Sequence, residues 1–385
     1  MSEAPYTLYG ISGSLYTGKV RAYLRHHGLA FEERGAGHPD FAAEIVPKVG
    51  RMIMPVVVAA DGSILQDGTD ILDYFEQRNL GKHSIVPENA VLRVVTHLFE
   101  LFGGEGLLRP AMHYRWNFDE HNLPFIKNFF AEAMPGSLNE KEAGDMFDFA
   151  SGRMRNAAVV FGVVPETMKT IEAAYQDFLK RFDAHLAVSA FLLGGQATIG
   201  DYGLFNPLFA HLGRDPYPAA MMKRVAPRVF RWTELMNGPE TYVDHRRAQA
   251  NQDLFSSDAM PETLKDLMRY VAEEYLSEIT AHVVYANNWL AEGPDIEPGT
   301  NGLDDPAQRG IGMAEFNWRG HEIKTAVMPY RFYLLQRLTD CFAQAGEADQ
   351  KAIRELFAET GLETMLDLRT TRRVERANHL EVWGE

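Results

Sequence analysis

Three short stretches in the first eighty residues combine side-chain types and spacings that could do chemistry together. The loop Gly10-Ile11-Ser12-Gly13-Ser14-Leu15-Tyr16-Thr17 lies between a short aromatic strand and a helix. The free N–H groups at the start of that helix, with the positive end of its dipole, face whatever occupies the loop. Ser14 is therefore either an ordinary helix cap or a donor in a site for an anion or a thiolate. Met54-Pro55 comes immediately before the apolar run Val56-Val57-Val58. Proline lacks the N–H a ladder needs and is tolerated as a first strand residue. Its bond to Met54 is ordinarily trans, but a cis bond would turn the backbone N–H and C=O of Met54 toward an extended ligand. Gln66-Asp67-Gly68-Thr69-Asp70-Ile71 is either a capped turn or a second helix N-terminus that holds a carboxylate, with Asp67 beside it for an ammonium.

The elements that must position these residues alternate. Tyr6–Ile11 reads as a strand, and Lys19–His27 as a helix with Val20, Tyr23 and Leu24 on one face and Gly28 as its stop. Phe31–Arg34 reads as a second strand. Pro55–Ala60, Asp61-Gly62 and Ser63–Gln66 read as a hairpin, and Thr69–Arg78 as a helix. That order predicts an α/β layer domain over residues 1–80. After the linker Leu80–Pro87, three- and four-residue apolar spacing predicts an all-helical domain over 88–250, with helices at Val91–Phe102, Pro124–Met134, Lys141–Arg155, Pro165–Leu186 and Asp201–Leu212. Residues 251–385 predict a mostly helical extension packing on the helical domain, with Gly293–Gly312 as a long ordered loop and a β-turn excursion at Asn317–Ile323.

The 385 residues carry 38 Lys+Arg against 53 Asp+Glu, a formal charge of −15, which argues against a nucleic-acid-binding surface. Residues 251–385 hold 13 basic and 24 acidic side chains, so most of the excess acid lies in the extension. A single cysteine, Cys341, excludes an intrachain disulfide and any two-cysteine redox centre. The paired His26-His27 and the gap from His113 to His121 are not ligand spacings, so no metal is expected. The longest apolar run, Ala157–Val164, is far short of a membrane span, and no secretory signal is visible at the start, which together predict a cytoplasmic chain without membrane partners.

Taken in this order, YTLYGISGSLYTGKVRAYL, GRMIMPVVV and LQDGTDILDYF resemble the glutathione transferase family, supported by Ala197-Thr198-Ile199-Gly200-Asp201 as a helix capping box. The resemblance covers residues 5–80 well and 90–237 loosely. It implies a thioredoxin-like domain that binds glutathione as co-substrate, followed by a helical domain that supplies the pocket for an electrophile. It implies Ser14 as the hydroxyl that donates to the glutathione sulfur, with Tyr9 and Ser12 as alternatives. Met54, with Pro55 cis, would pair with the cysteinyl backbone, and Asp67 would face the γ-glutamyl ammonium. Where family members usually have a serine for the γ-glutamyl carboxylate this chain has Gly68, so Thr69 or the Gly68 N–H would take over. Arg51 or Lys48 would meet the glycyl carboxylate, and Tyr16 is within reach of a loop ligand. Among helical-domain residues, Met112, His113 and Trp116 would line an apolar or aromatic electrophile site, with Phe102, Leu108 and Arg115 as further candidates.

The resemblance thus implies a transferase that activates the thiolate against a small apolar or aromatic electrophile, or a lyase, isomerase or dehalogenase variant, acting as a homodimer. The rival is a family-like binding or scaffold protein that has lost thiol activation. Thiol–disulfide exchange is disfavoured, because Ser14 and Thr17 stand where a C-x-x-C pair would be.

Overall fold

A computed structural model describes residues 5–239, 253–293 and 295–385. The first eighty residues form β1 (Tyr6–Tyr9), α1 (Leu15–His26), β2 (Phe31–Arg34), a π-helical turn at Phe41–Ile45 leading into α2 (Val46–Val49), β3 (Val56–Val58), β4 (Ile64–Gln66) and α3 (Gly68–Gln77). The sheet order is β2-β1-β3-β4, with β1 parallel to β2 and β3 antiparallel to both its neighbours. A parallel pair needs a crossover, which α1 provides, and the tight turn at Asp61-Gly62 closes the β3–β4 hairpin. This is the thioredoxin-like arrangement that the sequence led us to expect.

Side-chain alternation sorts the strand residues onto two faces. Leu8 and Val57, a cross-strand pair, are fully buried, as are Val20, Tyr23 and Leu24 of α1 and Ile71, Leu72 and Phe75 of α3. On the opposite face the pair Tyr9 and Val56 joins Phe41, Ile45 and Val49 in a second cluster. Helix α1 ends as its sequence requires: His27 is the C-cap and Gly28 follows with a φ of 69°, a conformation that costs glycine nothing.

The chain continues through α4 (Ala90–Leu101), a π-helical turn at Phe102–Gly106, α5 (Leu108–Trp116), α6 (Asp119–Glu132), α7 (Glu140–Val160), α8 (Met168–Val188), α9 (Ile199–Ala210), α10 (Pro216–Val225) and α11 (Pro227–Met236). The last third contains α12 (Glu262–Val271), a π-helical turn at Ala272–Leu276, α13 (Ser277–Glu292), the hairpin β5 (Gly312–Trp318) and β6 (His321–Val327), α14 (Pro329–Gln344), α15 (Glu347–Glu359) and the hairpin β7 (Val374–Ala377) and β8 (Leu380–Trp383). The excursion expected at Asn317–Ile323 is thus the tip of a hairpin of two seven-residue strands, turning on Arg319 and Gly320 at φ 48° and 86°. The loop before it is ordered by its own bonds. Gly299 and Thr300 exchange backbone bonds with Trp383, and the Asn301 amide donates to the carbonyls of Asp305, Pro306 and Gln308.

Two compact units emerge. One takes the described residues within Met1–Ser84, Ala111–Ala158 and Phe205–Gln249, and the other those within Ile85–Pro110, Val159–Leu204 and Ala250–Glu385. In the second, α14 and α15 pack on α4, and α12 packs on α8. A buried ionic cluster joins the turns at Phe102–Gly106 and Ala272–Leu276 to the start of α5, to α13, to the β5–β6 tip and to α14. Arg109 pairs with Glu274 at 3.3 Å and with Glu278, Arg331 pairs with Glu105 at 3.1 Å and Glu278 at 2.6 Å, and Arg319 pairs with Glu274 at 2.8 Å. Three guanidinium groups thus meet three buried carboxylates, and Arg319 reaches a fourth, the more exposed Glu273, at 3.7 Å. At the start of α9 the return bond of the expected box is present: the Asp201 carboxylate accepts from the Thr198 N–H at 2.9 Å and also from its hydroxyl at 3.0 Å, while the Thr198 hydroxyl accepts from Thr96 at 2.9 Å. Among the described residues, no helix is long and apolar enough to cross a membrane.

Candidate functional site

The strand register gathers the three sequence stretches at one end of the four-stranded sheet. Tyr9, the last residue of β1, is paired with Val56, the first of β3, and Val56 is paired with Gln66, the last of β4. The Gly10–Ser14 loop, Met54-Pro55 and Asp67-Gly68 therefore leave the sheet side by side. The Met54–Pro55 bond is cis.

Ser14 is the N-cap of α1, with extended backbone, and its Oγ accepts from the Thr17 N–H at 3.3 Å. That bond uses a lone pair and leaves the O–H to donate. The residue is half-buried, so a ligand can reach it. Gly10 is needed at the start of this loop, since a Cβ there would lie 2.1 Å from the Thr17 methyl. Two buried arginines hold the loop's carbonyl groups. Arg21 donates to the Ile11 carbonyl at 3.1 Å and is itself held by Glu33 at 2.7 Å. Arg115 donates to the Gly13 carbonyl at 3.2 Å and to both oxygens of buried Asp215 at 2.7 Å. Such bidentate pairs fix geometry as well as charge. The loop is thus pinned from both sides, which is what a preorganised donor at Ser14 requires.

Asp67 caps α3: its Oδ1 accepts from the Thr69 N–H at 2.8 Å, and its own φ is 85°. The Thr69 hydroxyl accepts from Lys19 Nζ at 3.0 Å, in a buried bond between α1 and α3. Gly68 is buried between them. Tyr16 is half-buried in the first turn of α1, Arg51 is half-buried on the segment leading to Met54, and Lys48 is exposed at the end of α2.

Tyr9 ends β1 and Ser12 lies in the site loop, while the helical-domain candidates sit elsewhere. Tyr9 is 3% exposed; its ring stacks on Phe41 and its hydroxyl accepts from Arg34 at 3.4 Å. Ser12 is half-buried and donates to Glu132 at 3.4 Å. Met112, His113 and Trp116, read from the sequence as cleft residues, are all buried. The His113 ring meets the Asn117 amide at 3.1 Å, and Trp116 lies under the Arg155 guanidinium, 4.9 Å from its ring centre. Every residue from Leu101 to Trp116 is buried, Phe102 and Leu108 included, so aromatic and methionine side chains there are core.

A cavity of about 570 Å³ instead opens beside Ser12. Arg21, Arg25, Arg214, Glu33, Glu132 and Phe209 line it, together with backbone at Gly10 and Gly35 and the side chain of Asn237. Sequence reasoning missed Arg214, Glu33 and Asp215 altogether. No local signal marks them, because they reach the loop through tertiary contacts.

The first domain is thus thioredoxin-like, with a capped loop, a cis-proline and a second helix start at one sheet end, and a helical chain follows it. Residues 8–83 match the family model described as glutathione S-transferase, N-terminal domain, so the first domain is of that N-terminal type. Solved structures similar to this chain include the beta-etherase LigF from Sphingobium sp. strain SYK-6, at 17% identity over 60% of this chain and 95% of that one, with a TM-score of 0.43. They also include the glutathione transferase GSTFuA3 from Phanerochaete chrysosporium, at 17% identity, 63% and 100% coverage and a TM-score of 0.44. A rice transferase, OsGSTU1 in complex with glutathione, follows at 18% identity, 60% and 87% coverage and a TM-score of 0.35. Comparison with curated proteins gives no match.

Proposed function

We propose that this chain binds glutathione at the sheet end described above and activates its thiol at Ser14 for attack on an electrophilic carbon of a small second substrate. The observation that carries the reading is the convergence, by strand register, of Ser14, Met54 and Asp67 at one end of a family-matched domain. In this reading Met54 pairs with the cysteinyl backbone, Asp67 receives the γ-glutamyl ammonium, and the N–H groups at the start of α3, with Thr69, receive the γ-glutamyl carboxylate. Arg51 or Lys48 meets the glycyl carboxylate. The α1 N-terminus and the Ser14 O–H stabilise the thiolate; lowering a thiol pKa by about 2 takes ~2.7 kcal/mol, within reach of a charge-assisted bond and a helix terminus together. Ser14 is preferred to Tyr9 because the Tyr9 ring is packed into the core. The reading also carries a homodimer in the cytoplasm, which sedimentation and fractionation would check.

The test is calorimetric titration with glutathione alongside the pH profile of turnover by Ser14→Ala. Losing the donor returns the thiol toward its free pKa of about 8.5, so turnover falls about 50-fold near pH 6.5 and little near pH 9. Loss of the cap also costs about 1 kcal/mol of stability, which is read separately by denaturation. An unchanged profile with intact glutathione binding removes Ser14 from the mechanism. A second reading, a binding or scaffold protein without turnover, is favoured by one feature: Gly68 stands at the start of α3 where the proposed carboxylate site would use a hydroxyl. Absence of glutathione binding in the titration would select it.

A further inference from the structure

We infer that the second substrate is an anion, and specifically that the cavity beside Ser12 receives a carboxylate on an aromatic ring through Arg214 and Arg25. The inference deepens the proposed function and rests on it for the reaction, though not for binding.

The cavity carries three guanidinium groups, of which Arg21 alone is in a direct ion pair among the described residues, while Glu132 and Asp215 act on Arg214 and Glu33 acts on Arg25 without direct contact. Arg21 is spent on Glu33, with bonds from both Nε and Nη2, and is buried. Arg25, at the end of α1, donates to neutral acceptors, the carbonyl and side-chain oxygens of Asn237 at 3.3 and 3.1 Å. Arg214 has no hydrogen bond or ion pair among the described residues. It lies over the rings of Phe125 and Phe209, at 5.5 and 5.9 Å from their centres. Glu132, the other carboxylate of the cavity, is exposed, and accepts from Ser12 and from Asn128, both at 3.4 Å. Among the described lining residues, three arginines face two glutamates, a net positive charge in a concave site.

Desolvation, then the like charges of Arg21 and Arg115, pushes the Arg214 guanidinium below its usual pKa. Desolvation and then Arg21 do the same to Arg25. Both shifts mark cations that an incoming anion would relieve. A planar guanidinium matches a carboxylate through two parallel bonds, and Phe209, itself stacked on Phe205 at 4.8 Å, gives the cavity an apolar lining residue beside Arg214. The volume suits a small substrate. Ser12, which lines the cavity, lies two residues before Ser14 on the same loop, so the cavity adjoins the loop that carries the proposed donor, although Ser14 itself is not part of its lining.

The probe pair is 4-chloro-3,5-dinitrobenzoate and its neutral carboxamide. In both, the glutathione thiolate adds to the ring carbon bearing chlorine, the C–S bond forms, the C–Cl bond breaks and chloride leaves with the electron pair; the thiol proton passes to solvent. Wild type is expected to favour the carboxylate about tenfold or more in kcat/KM, and Arg214→Gln to reduce that ratio toward one while the affinity for glutathione stays unchanged. Arg25→Gln, at an exposed site, should reduce it in the same direction, and Arg214→Lys should restore part of it. A second arm titrates unreactive 3,5-dinitrobenzoate into the protein without glutathione, comparing wild type with Arg214→Gln of matched melting temperature. Binding that is lost in Arg214→Gln supports the inference even if no turnover is found, in which case only the transferase reading fails. No dinitrobenzoate binding by wild type, binding indifferent to both arginines, or an effect of Arg214→Gln confined to glutathione itself overturns it.

Discussion

Gly68 offers a gain-of-affinity experiment that tests the placement of glutathione directly. It is the first residue of α3, buried, and follows Asp67 at the helix cap. A Cβ at this position would meet nothing nearer than 3.6 Å, the Lys19 Cδ and the Tyr16 carbonyl oxygen, which is ordinary van der Waals contact. Its φ lies outside the left-handed region, so serine enters without backbone strain. If the γ-glutamyl carboxylate rests on the start of α3, the new hydroxyl adds one charge-assisted hydrogen bond, worth about 1.5–3 kcal/mol. At about 1.4 kcal/mol per decade this is a roughly 10- to 100-fold tighter complex. Replacing glycine also removes freedom from the unfolded chain and raises stability by about 0.4–1 kcal/mol. Gly68→Ala isolates that second effect, since it adds the Cβ without the hydroxyl. Calorimetric titration of glutathione into wild type, Gly68→Ser and Gly68→Ala, with thermal unfolding of each, separates the two terms. A Gly68→Ser affinity within twofold of wild type, or an equal gain in Gly68→Ala, would refute the placement of the carboxylate.

In the second unit, Arg331 is 1% exposed and bridges Glu105 and Glu278, so Arg331→Met should cost about 3–5 kcal/mol in chemical denaturation by stranding buried carboxylate charge. Adding Glu278→Gln to that variant should recover part of the loss, and a loss below about 1 kcal/mol would show the cluster to be dispensable. Burial pushes His185 down to about 4 and His282 down to about 3. The unfolded chain binds a proton on each below about pH 6.5, while the folded chain does not, so stability falls as pH falls through the window from 6.5 to 4. Each contributes up to about 1.4 kcal/mol per pH unit, and His282→Gln should flatten the measured slope between pH 6.5 and 5; a slope unchanged by that substitution would contradict the assignment.

The β-hairpins show how far local chemistry can be read. Asp61-Gly62 declares the β3–β4 turn, and Arg319-Gly320 turns β5 into β6 with glycine at the tip. The β7–β8 hairpin went unread because its turn uses Asn378 and His379, at φ 50° and 65°, with no glycine to mark it. Asparagine tolerates that conformation, but histidine gives little warning of it. Met112, His113 and Trp116 illustrate a second difficulty. Aromatic and methionine side chains suit a substrate pocket and a protein core equally, and only the uninterrupted burial of Leu101–Trp116 separates the two.

What the amino-acid sequence determined by itself was local: the strand and helix order of the first eighty residues, the cap at Ser14, the stop at Gly28, the box at Thr198 and Asp201, and the Gly68 departure. Each depends on neighbours within a few positions along the chain, whose preferences act at short range. Tertiary structure alone decided which features share a site. The Tyr9–Val56–Gln66 register brings three separate stretches together, and Arg115 reaches Gly13 and Asp215 across about a hundred residues on either side. Arg21, Arg25 and Arg214 converge on one cavity in the same way. Charge balance in such a place is a property of spatial neighbours, because the attraction between two ions depends on the distance and medium between them and not on their separation in the chain.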